Sequence, residues 1–196
     1  MKKIFEERLK KHKLIAAVKQ PKSIEQAIKY KEHISAVILM TGNILTVKQY
    51  VDVLQKAGLP VILHVEKIGG LQVDHYGIDF IQEYVKPFAI VTTKSGIIKK
   101  AKSKGMYVIQ RVFLIDTEVY DQLLAGLDHL QADMIEVMPS RIIDFLADLS
   151  KASHVPVITG GLLTTPYHAK EALEHGAAAV STSNTELWKM DLNDLY

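Results

Sequence analysis

The chain has 196 residues, enough for one domain with a sizeable core, and its 48% hydrophobic content is typical of a globular protein. It has no cysteine, which excludes disulfides, thiolate metal sites and a cysteine nucleophile. No window approaches the ~20 apolar residues of a membrane helix, and the amino-terminal residues lack the apolar stretch of a signal peptide. We therefore expect a cytoplasmic protein with no membrane partner.

The net charge of +2 is unevenly distributed along the chain. Residues 1–32 hold 10 basic and 4 acidic side chains, and residues 86–111 hold 7 basic and no acidic ones. Residues 116–148 hold 8 acidic side chains against Arg141 alone. This distribution predicts a positive side and a negative side on the folded molecule.

Eight short, nearly continuous apolar runs follow one another along the chain. Several are rich in Val and Ile and do not alternate with polar residues, as is typical of parallel strands covered on both faces. The predicted strands are 14–18, 36–40, 61–65, 88–91, 106–110, 134–138, 155–159 and 177–181.

Segments of helical period separate these runs. Thr165-Pro166 is typical of an N-cap followed by the first helical residue, and Ser140 is a candidate cap for a helix over 141–150. Alternation of strand and helix eight times is compatible with an open doubly wound sheet or a closed barrel. Eight strands in 196 residues, the last near the chain end, favour a compact (β/α)8 TIM-type barrel, an α/β fold.

The first 13 residues stand apart from this alternation. Ile4, Phe5 and Leu9 form one stripe, which predicts a helix over 1–13 packed on the amino end of the barrel. Residues 14–196 would then form the barrel itself, and we predict a single domain.

The ends of the seventh and eighth predicted strands carry the clearest ligand signal. Gly160 and Gly161 follow strand seven, and their backbone N–H groups can approach a bulky anion closely. Ser183 and Asn184 follow strand eight, where a helix is predicted to begin. Barrels of this class commonly hold a phosphate at these two loops. A tight turn and a helix cap are the alternative interpretations.

Three further polar residues lie near predicted strand ends. His64 and Glu66 point the same way, because side chains alternate along a strand, and either orient ligand hydroxyls or belong to a buried barrel layer. Glu136 is a carboxylate within an apolar strand and needs a partner, with Lys19, Arg111 and a ligand hydroxyl as candidates. A purely structural ion pair is the alternative for Glu136.

No metal motif such as HExxH occurs, and no Ser-His-Asp nucleophile elbow occurs. We therefore predict no metal site. Lys99, Lys100 and Lys102 are expected to point outward from one helix, either as a merely solvated face or as candidate RNA contacts. No recognisable RNA- or DNA-binding module is present.

From about Leu14 to Trp188 the chain resembles the glycerol-3-phosphate-responsive antiterminators of glycerol-utilisation operons. The resemblance is carried, in order, by the strings IAAVK, HVEKIGGL, HYGIDFI, VTTKSGIIKKAK, QRVFLID, IEVMP, PVITGGL and AVSTSN. The combination of QRVFLID, IEVMP, GGL and VSTSN is specific, whereas GGL alone is common among phosphate-binding barrels. Two departures stand out: Lys94 occupies the place of an arginine, and HVE stands where HID is common.

The resemblance implies a regulator that is not an enzyme, with no catalytic residue and no cofactor. Such proteins bind the effector glycerol 3-phosphate and then act on leader mRNA, preventing a terminator hairpin from ending transcription. The resemblance places the phosphate at the loops after strands seven and eight. It places the rest of the ligand among Lys19, His64, Glu66, Arg111 and Glu136.

Two rival interpretations stay open at this stage. One is a barrel enzyme, an isomerase or lyase acting on a small phosphorylated substrate, with His64, Glu66 and Glu136 as acid–base groups. The other is a sensor of phosphate esters whose partner is a protein. The sequence also leaves open a homo-oligomer.

Overall fold

The computed structural model describes residues 1–195, which form a closed barrel of parallel strands. Each strand pairs with the next in the chain, and the last pairs with the first. The strands are β1 (Leu14–Val18), β2 (Ala36–Leu39), β3 (Val61–His64), β4 (Ala89–Thr92), β5 (Tyr107–Phe113), β6 (Met134–Met138), β7 (Val157–Gly160) and β8 (Ala179–Thr182).

Helices connect the strands around the outside. They are α1 (Lys2–His12), α2 (Ser23–Lys29), α3 (Val47–Lys56), α4 (His75–Asp79), α5 (Ser95–Ser103), α6 (Thr117–Gly126), α7 (Ile143–Ala152), α8 (Pro166–Glu174) and α9 (Thr185–Trp188). Short 3-10 turns cover Val65–Lys67, Leu127–His129 and Leu192–Leu195, and a π-helical turn covers Phe80–Val85. No helix in residues 1–195 is long and apolar enough to cross a membrane.

The predicted (β/α)8 TIM-type barrel is confirmed, and each predicted strand coincides with an observed one. The largest differences are at β5, β7 and β8, where β8 runs from Ala179 to Thr182. β5 continues to Phe113, beyond the apolar run, because its last residues pair with β6 as far as Met138. β7 begins at Val157 and includes Gly160, which pairs with Ser181.

Apolar side chains form two clusters separated by the sheet. The inner cluster fills the barrel and includes Ile15, Ile38, Ile62 and Ile109. The outer cluster lies between strands and helices, and it includes the fully buried Trp188. Both faces of every strand are therefore covered, which is why the strands have continuous apolar sequences.

Helix α1 closes the amino end of the barrel. Phe5 is fully buried, and its ring centroid lies 4.8 Å from that of Phe88 and 5.9 Å from that of Tyr107. Leu9 is also buried, whereas Ile4, which the sequence placed on the same stripe, is 47% exposed.

The two predicted helix starts have different outcomes. The Thr165 side chain accepts a hydrogen bond from the His168 N–H, and Pro166 is the first residue of α8, as predicted. Ser140 caps no helix, because α7 begins only at Ile143. The Ser140 hydroxyl instead donates to the Gly161 carbonyl at 2.8 Å.

Candidate ligand-binding site

Polar side chains replace aliphatic ones in the uppermost layer inside the barrel. Side chains alternate along a strand, so Arg111 points inward two residues after Ile109, and Glu136 points inward two residues after Met134. Ser181 occupies the corresponding position near the end of β8. These polar groups form the floor of an open space at the carboxyl ends of the strands.

Arg111 and Glu136 form a buried ion pair across neighbouring strands. The Arg111 Nε and Nη2 atoms each lie 2.8 Å from Glu136 Oε2, and the Ser181 hydroxyl donates to Glu136 Oε1 at 2.6 Å. The Glu136 carboxylate has no exposed surface, yet both of its oxygens accept hydrogen bonds. Of the partners that the sequence left open for Glu136, the structure provides Arg111.

Gly160 makes room for this arrangement. A Cβ atom added at Gly160 would lie 2.1 Å from the Ser181 hydroxyl oxygen and 2.8 Å from the Ser181 carbonyl oxygen. The absent side chain therefore allows Ser181 to reach Glu136. Gly160 does not line the open space, which differs from the predicted direct contact of its backbone with an anion.

His64 and Glu66 lie side by side at the end of β3. His64 Nδ1 is 3.1 Å from Glu66 Oε2, close enough for an ion pair but not aligned for a hydrogen bond. The Thr92 hydroxyl and the Thr93 N–H donate to Glu66 Oε1. Burial raises the pKa of Glu66, but the contacts with His64 and Thr92 outweigh this effect and lower the pKa to about 2. Glu66 is thus a carboxylate that orients His64.

The loop after β7 presents backbone N–H groups. Gly161 has a φ of 75° and Leu162 a φ of 55°, and the Gly161 carbonyl accepts from both the N–H and the hydroxyl of Ser140. The N–H groups of Gly161, Leu162 and Ser183 donate to no acceptor in the described part of the chain. Three backbone donors are therefore available at the two loops where the sequence predicts a phosphate.

Asn184 holds these two loops together. Its side-chain oxygen caps α9 by accepting from the Glu186 N–H, and its side-chain nitrogen donates to the Thr164 carbonyl at 3.2 Å. Its own N–H donates to the Thr182 hydroxyl. Asn184 is therefore engaged within the protein, whereas its neighbour Ser183 is exposed.

These loops surround a cleft of about 910 Å³. Lys19 and Lys67 are exposed on its rim, and neither has an acidic partner within residues 1–195. Phe113 and Leu162 form an apolar part of the wall and are 51% and 68% exposed. A cleft with two free cations, free N–H groups and an apolar wall is suited to a small organic anion.

The structure gathers some predicted site residues and leaves others out. Lys19, His64, Arg111, Gly161, Ser183 and Asn184 line the cleft, whereas Glu66, Glu136 and Gly160 support residues that line it. Sequence reasoning missed Lys67, although it lies only three residues after the end of β3. The alternation rule ends at His64, because a 3-10 turn begins at Val65 and redirects the next side chains.

The lysines of α5 lie away from this cleft. Ile97, Ile98 and Ala101 are buried, which leaves Lys99 and Lys100 exposed. Lys102 differs, because its ammonium lies 2.8 Å from both carboxylate oxygens of Asp133. Lys102 is therefore held in an ion pair, a contact that the helical period alone does not predict.

The fold and the site define a (β/α)8-barrel protein with a polar, cationic cleft at the carboxyl ends of its strands. A comparison with known families identifies it further. Residues 14–188 match the model of the family described as glycerol-3-phosphate responsive antiterminator. The chain belongs to this family.

Two solved structures carry related descriptions. The glycerol uptake operon antiterminator regulatory protein of Listeria monocytogenes is 32% identical and superposes with a TM-score of 0.83, over 90% of this chain and 94% of that one. A glycerol uptake operon antiterminator-related protein of Thermotoga maritima is 28% identical with a TM-score of 0.79, over 90% and 98% of the two chains.

Enzymes share the fold at lower identity. Deoxyribose phosphate aldolase of Aeropyrum pernix is 14% identical with a TM-score of 0.69, and the match covers 100% of this chain and 99% of that chain. At that identity the similarity establishes the barrel architecture alone.

Proposed function

We propose that this protein binds glycerol 3-phosphate in the cleft and, in the bound state, acts on leader mRNA to prevent termination of transcription in the cytoplasm. The observation that carries the proposal is that the free N–H groups of Gly161, Leu162 and Ser183 belong to residues that line the same cleft as Lys19 and Lys67. Backbone donors and ammonium groups together are suited to a dianionic phosphate. Membership of the antiterminator family supports this choice of ligand.

The rest of the ligand would lie over the polar floor. Arg111 lines the cleft, and its Nη1 makes no hydrogen bond within residues 1–195, so this nitrogen is free to donate to a hydroxyl or phosphate oxygen. His64 also lines the cleft and is oriented by Glu66. A glycerol moiety has two hydroxyls, and these two side chains supply polar partners for them.

Action on RNA requires a cationic surface that contacts the backbone phosphates. Lys99 and Lys100 on α5 are exposed and make no ion pair within the described residues, so we propose them as phosphate contacts. Lys102 is excluded from this role by its pairing with Asp133. Glycerol 3-phosphate can shift the protein toward a conformation that binds RNA only to the extent that it binds this conformation more tightly than the conformation that does not bind RNA.

The barrel interior supports a regulator over an aldolase-like enzyme. A Schiff-base lysine is activated by desolvation or by a neighbouring cation. No lysine lies on any strand in residues 1–195, so the strands supply no candidate for this role. Glu136 has both oxygens occupied, and Glu66 has a pKa of about 2 and is ionised at neutral pH. Glu66 is therefore not poised for proton transfer near pH 7, and Glu136 is engaged by Arg111 and Ser181.

Calorimetric titration with glycerol 3-phosphate tests the ligand. The Lys19→Gln/Lys67→Gln variant is expected to bind at least ~10-fold more weakly, because each charge-assisted hydrogen bond is worth ~1.5–3 kcal/mol. Lys10 is an exposed residue of α1 at the opposite end of the barrel, so Lys10→Gln is the matched control and should bind glycerol 3-phosphate as wild type does. Unchanged affinity in the double variant, or no binding by wild type, would contradict the proposal.

A further inference from the structure

A second cleft, of about 420 Å³, lies at the amino end of the barrel, opposite the proposed ligand site. It is bounded by the start of α1, by residues 86–88 before β4, and by residues 104–107 before β5. This volume is within the range of pockets that hold small ligands, ~300–1,000 Å³. The function proposed above makes no use of this cleft.

Four lysines surround this second cleft: Lys2, Lys86, Lys102 and Lys104. Lys102 is paired with Asp133, and Lys104 contacts Asp79, so these two are held in place by acidic partners. Lys2 makes only a long contact of 4.0 Å with Glu6 and is 68% exposed. Lys86 has no acidic partner within residues 1–195. Lys2 and Lys86 are therefore the two cations at this cleft without a close acidic partner in the described residues.

Aromatic rings form one wall of the same cleft. Phe88 and Tyr107 are half-buried, and their ring centroids are 5.1 Å apart. The Lys2 ammonium lies 6.0 Å from the Tyr107 ring centroid. Burial, together with the nearby Asp133 and Glu6, raises the pKa of Tyr107 to about 12. Its hydroxyl therefore keeps its proton at neutral pH and can donate a hydrogen bond.

The position of Lys86 is fixed by the backbone. Lys86 has a φ of 56°, its N–H donates to the Ile81 carbonyl at the end of the π-helical turn, and its carbonyl accepts from Gln55 Nε2. Helix α5 leads from the exposed Lys99 and Lys100 to this cleft, because Lys102 belongs to both. Lysines of the chain segment 86–111 thus occur both on the exposed face of α5 and at this cleft.

We infer that this amino-end cleft receives an unpaired nucleotide of the RNA, with the backbone phosphates at Lys2 and Lys86 and the base against Phe88 and Tyr107. Cations that follow the backbone, combined with aromatic side chains that contact bases, are the general means of binding single-stranded RNA. This inference rests on the proposed action on leader mRNA. It assigns that action to the end of the barrel opposite the glycerol 3-phosphate site.

Salt-dependent binding of the leader transcript, at saturating glycerol 3-phosphate, tests the inference. Loss of two phosphate contacts in Lys2→Gln/Lys86→Gln should reduce the slope of log affinity against log salt by ~1.4. Lys22→Gln/Lys151→Gln removes the same charge from exposed positions away from the cleft and should retain the wild-type slope. In a parallel experiment, 4-thiouridine in unpaired positions of the transcript should photocrosslink to peptides that contain Phe88 or Tyr107.

Three results overturn the inference, and they are distinguishable. A wild-type slope for Lys2→Gln/Lys86→Gln, with normal binding of transcript and ligand, contradicts the location while the proposed function stands. An equal loss in both double variants indicates a nonspecific effect of net charge and also contradicts it. Failure of the wild-type protein to bind the transcript at any salt concentration contradicts the inference and the proposed function together.

Discussion

The buried Arg111–Glu136 pair provides a quantitative test of how the barrel interior is stabilised. Glu136→Leu would leave the Arg111 guanidinium, which is 4% exposed, without its carboxylate. Removal of one partner of a buried ion pair typically costs ~3–5 kcal/mol. For a chain of this size each kcal/mol lowers the melting temperature by ~2–4 °C, so we expect a decrease of about 6–20 °C.

Replacement of both partners should restore much of this loss. Arg111→Met/Glu136→Leu removes both charges and leaves only the Ser181 hydroxyl without its acceptor, which costs ~1–3 kcal/mol. Addition of Ser181→Ala to that double variant removes this last unpaired group. The double variant should be more stable than Glu136→Leu alone, and it should have lost affinity for glycerol 3-phosphate because Arg111 lines the cleft.

Urea unfolding followed by tryptophan fluorescence measures these differences. The single tryptophan, Trp188, is fully buried, and its indole N–H donates to the Thr182 carbonyl, so its emission reports on unfolding around β8. A cost below about 1 kcal/mol for Glu136→Leu would refute the assignment of a desolvated ion pair. A double variant less stable than Glu136→Leu would refute it as well.

Three further predictions concern other parts of the molecule. Gly160→Ala should displace Ser181 and reduce the free energy of unfolding, measured by urea unfolding. Gly126→Ala is the control and should leave the free energy of unfolding unchanged, because its added Cβ meets nothing within 4 Å. The contribution of Glu66 to the free energy of unfolding should be complete above its unfolded pKa of ~4.3 and should disappear as the pH falls toward about 2. In Glu66→Gln the free energy of unfolding should therefore lose ~1–2 kcal/mol of its change across this pH range. Lys99→Gln/Lys100→Gln should weaken binding of leader RNA in a filter assay and leave glycerol 3-phosphate affinity unchanged, and wild-type RNA binding would indicate a merely solvated helix face.

The barrel was predictable because covering both faces of a strand requires a continuous apolar run. That signal ends where a strand carries polar residues that point into the barrel, and for this reason the extension of β5 to Phe113 was missed. The two loops of the candidate site were predictable from the glycines after strand seven and from the serine and asparagine after strand eight. Their position at the carboxyl ends of the strands then follows from the topology.

The detailed roles within the site depend on distances across strands, which sequence patterns do not contain. The function of Gly160 becomes evident only from its closeness to Ser181, a residue 21 positions later. Lys102 and Asp133 are 31 positions apart, so the helical period gives no indication of their ion pair. Both details depend on tertiary contacts, which decide which polar groups are already occupied.

Terminator read-through in a purified transcription reaction tests the central claim most directly. With a template that carries the leader and its terminator, the protein should increase full-length transcript only when glycerol 3-phosphate is present. Lys19→Gln/Lys67→Gln should require a higher ligand concentration for the same increase, and glycerol alone should have no effect. Read-through that is independent of glycerol 3-phosphate, or absent at saturating ligand, would contradict the account.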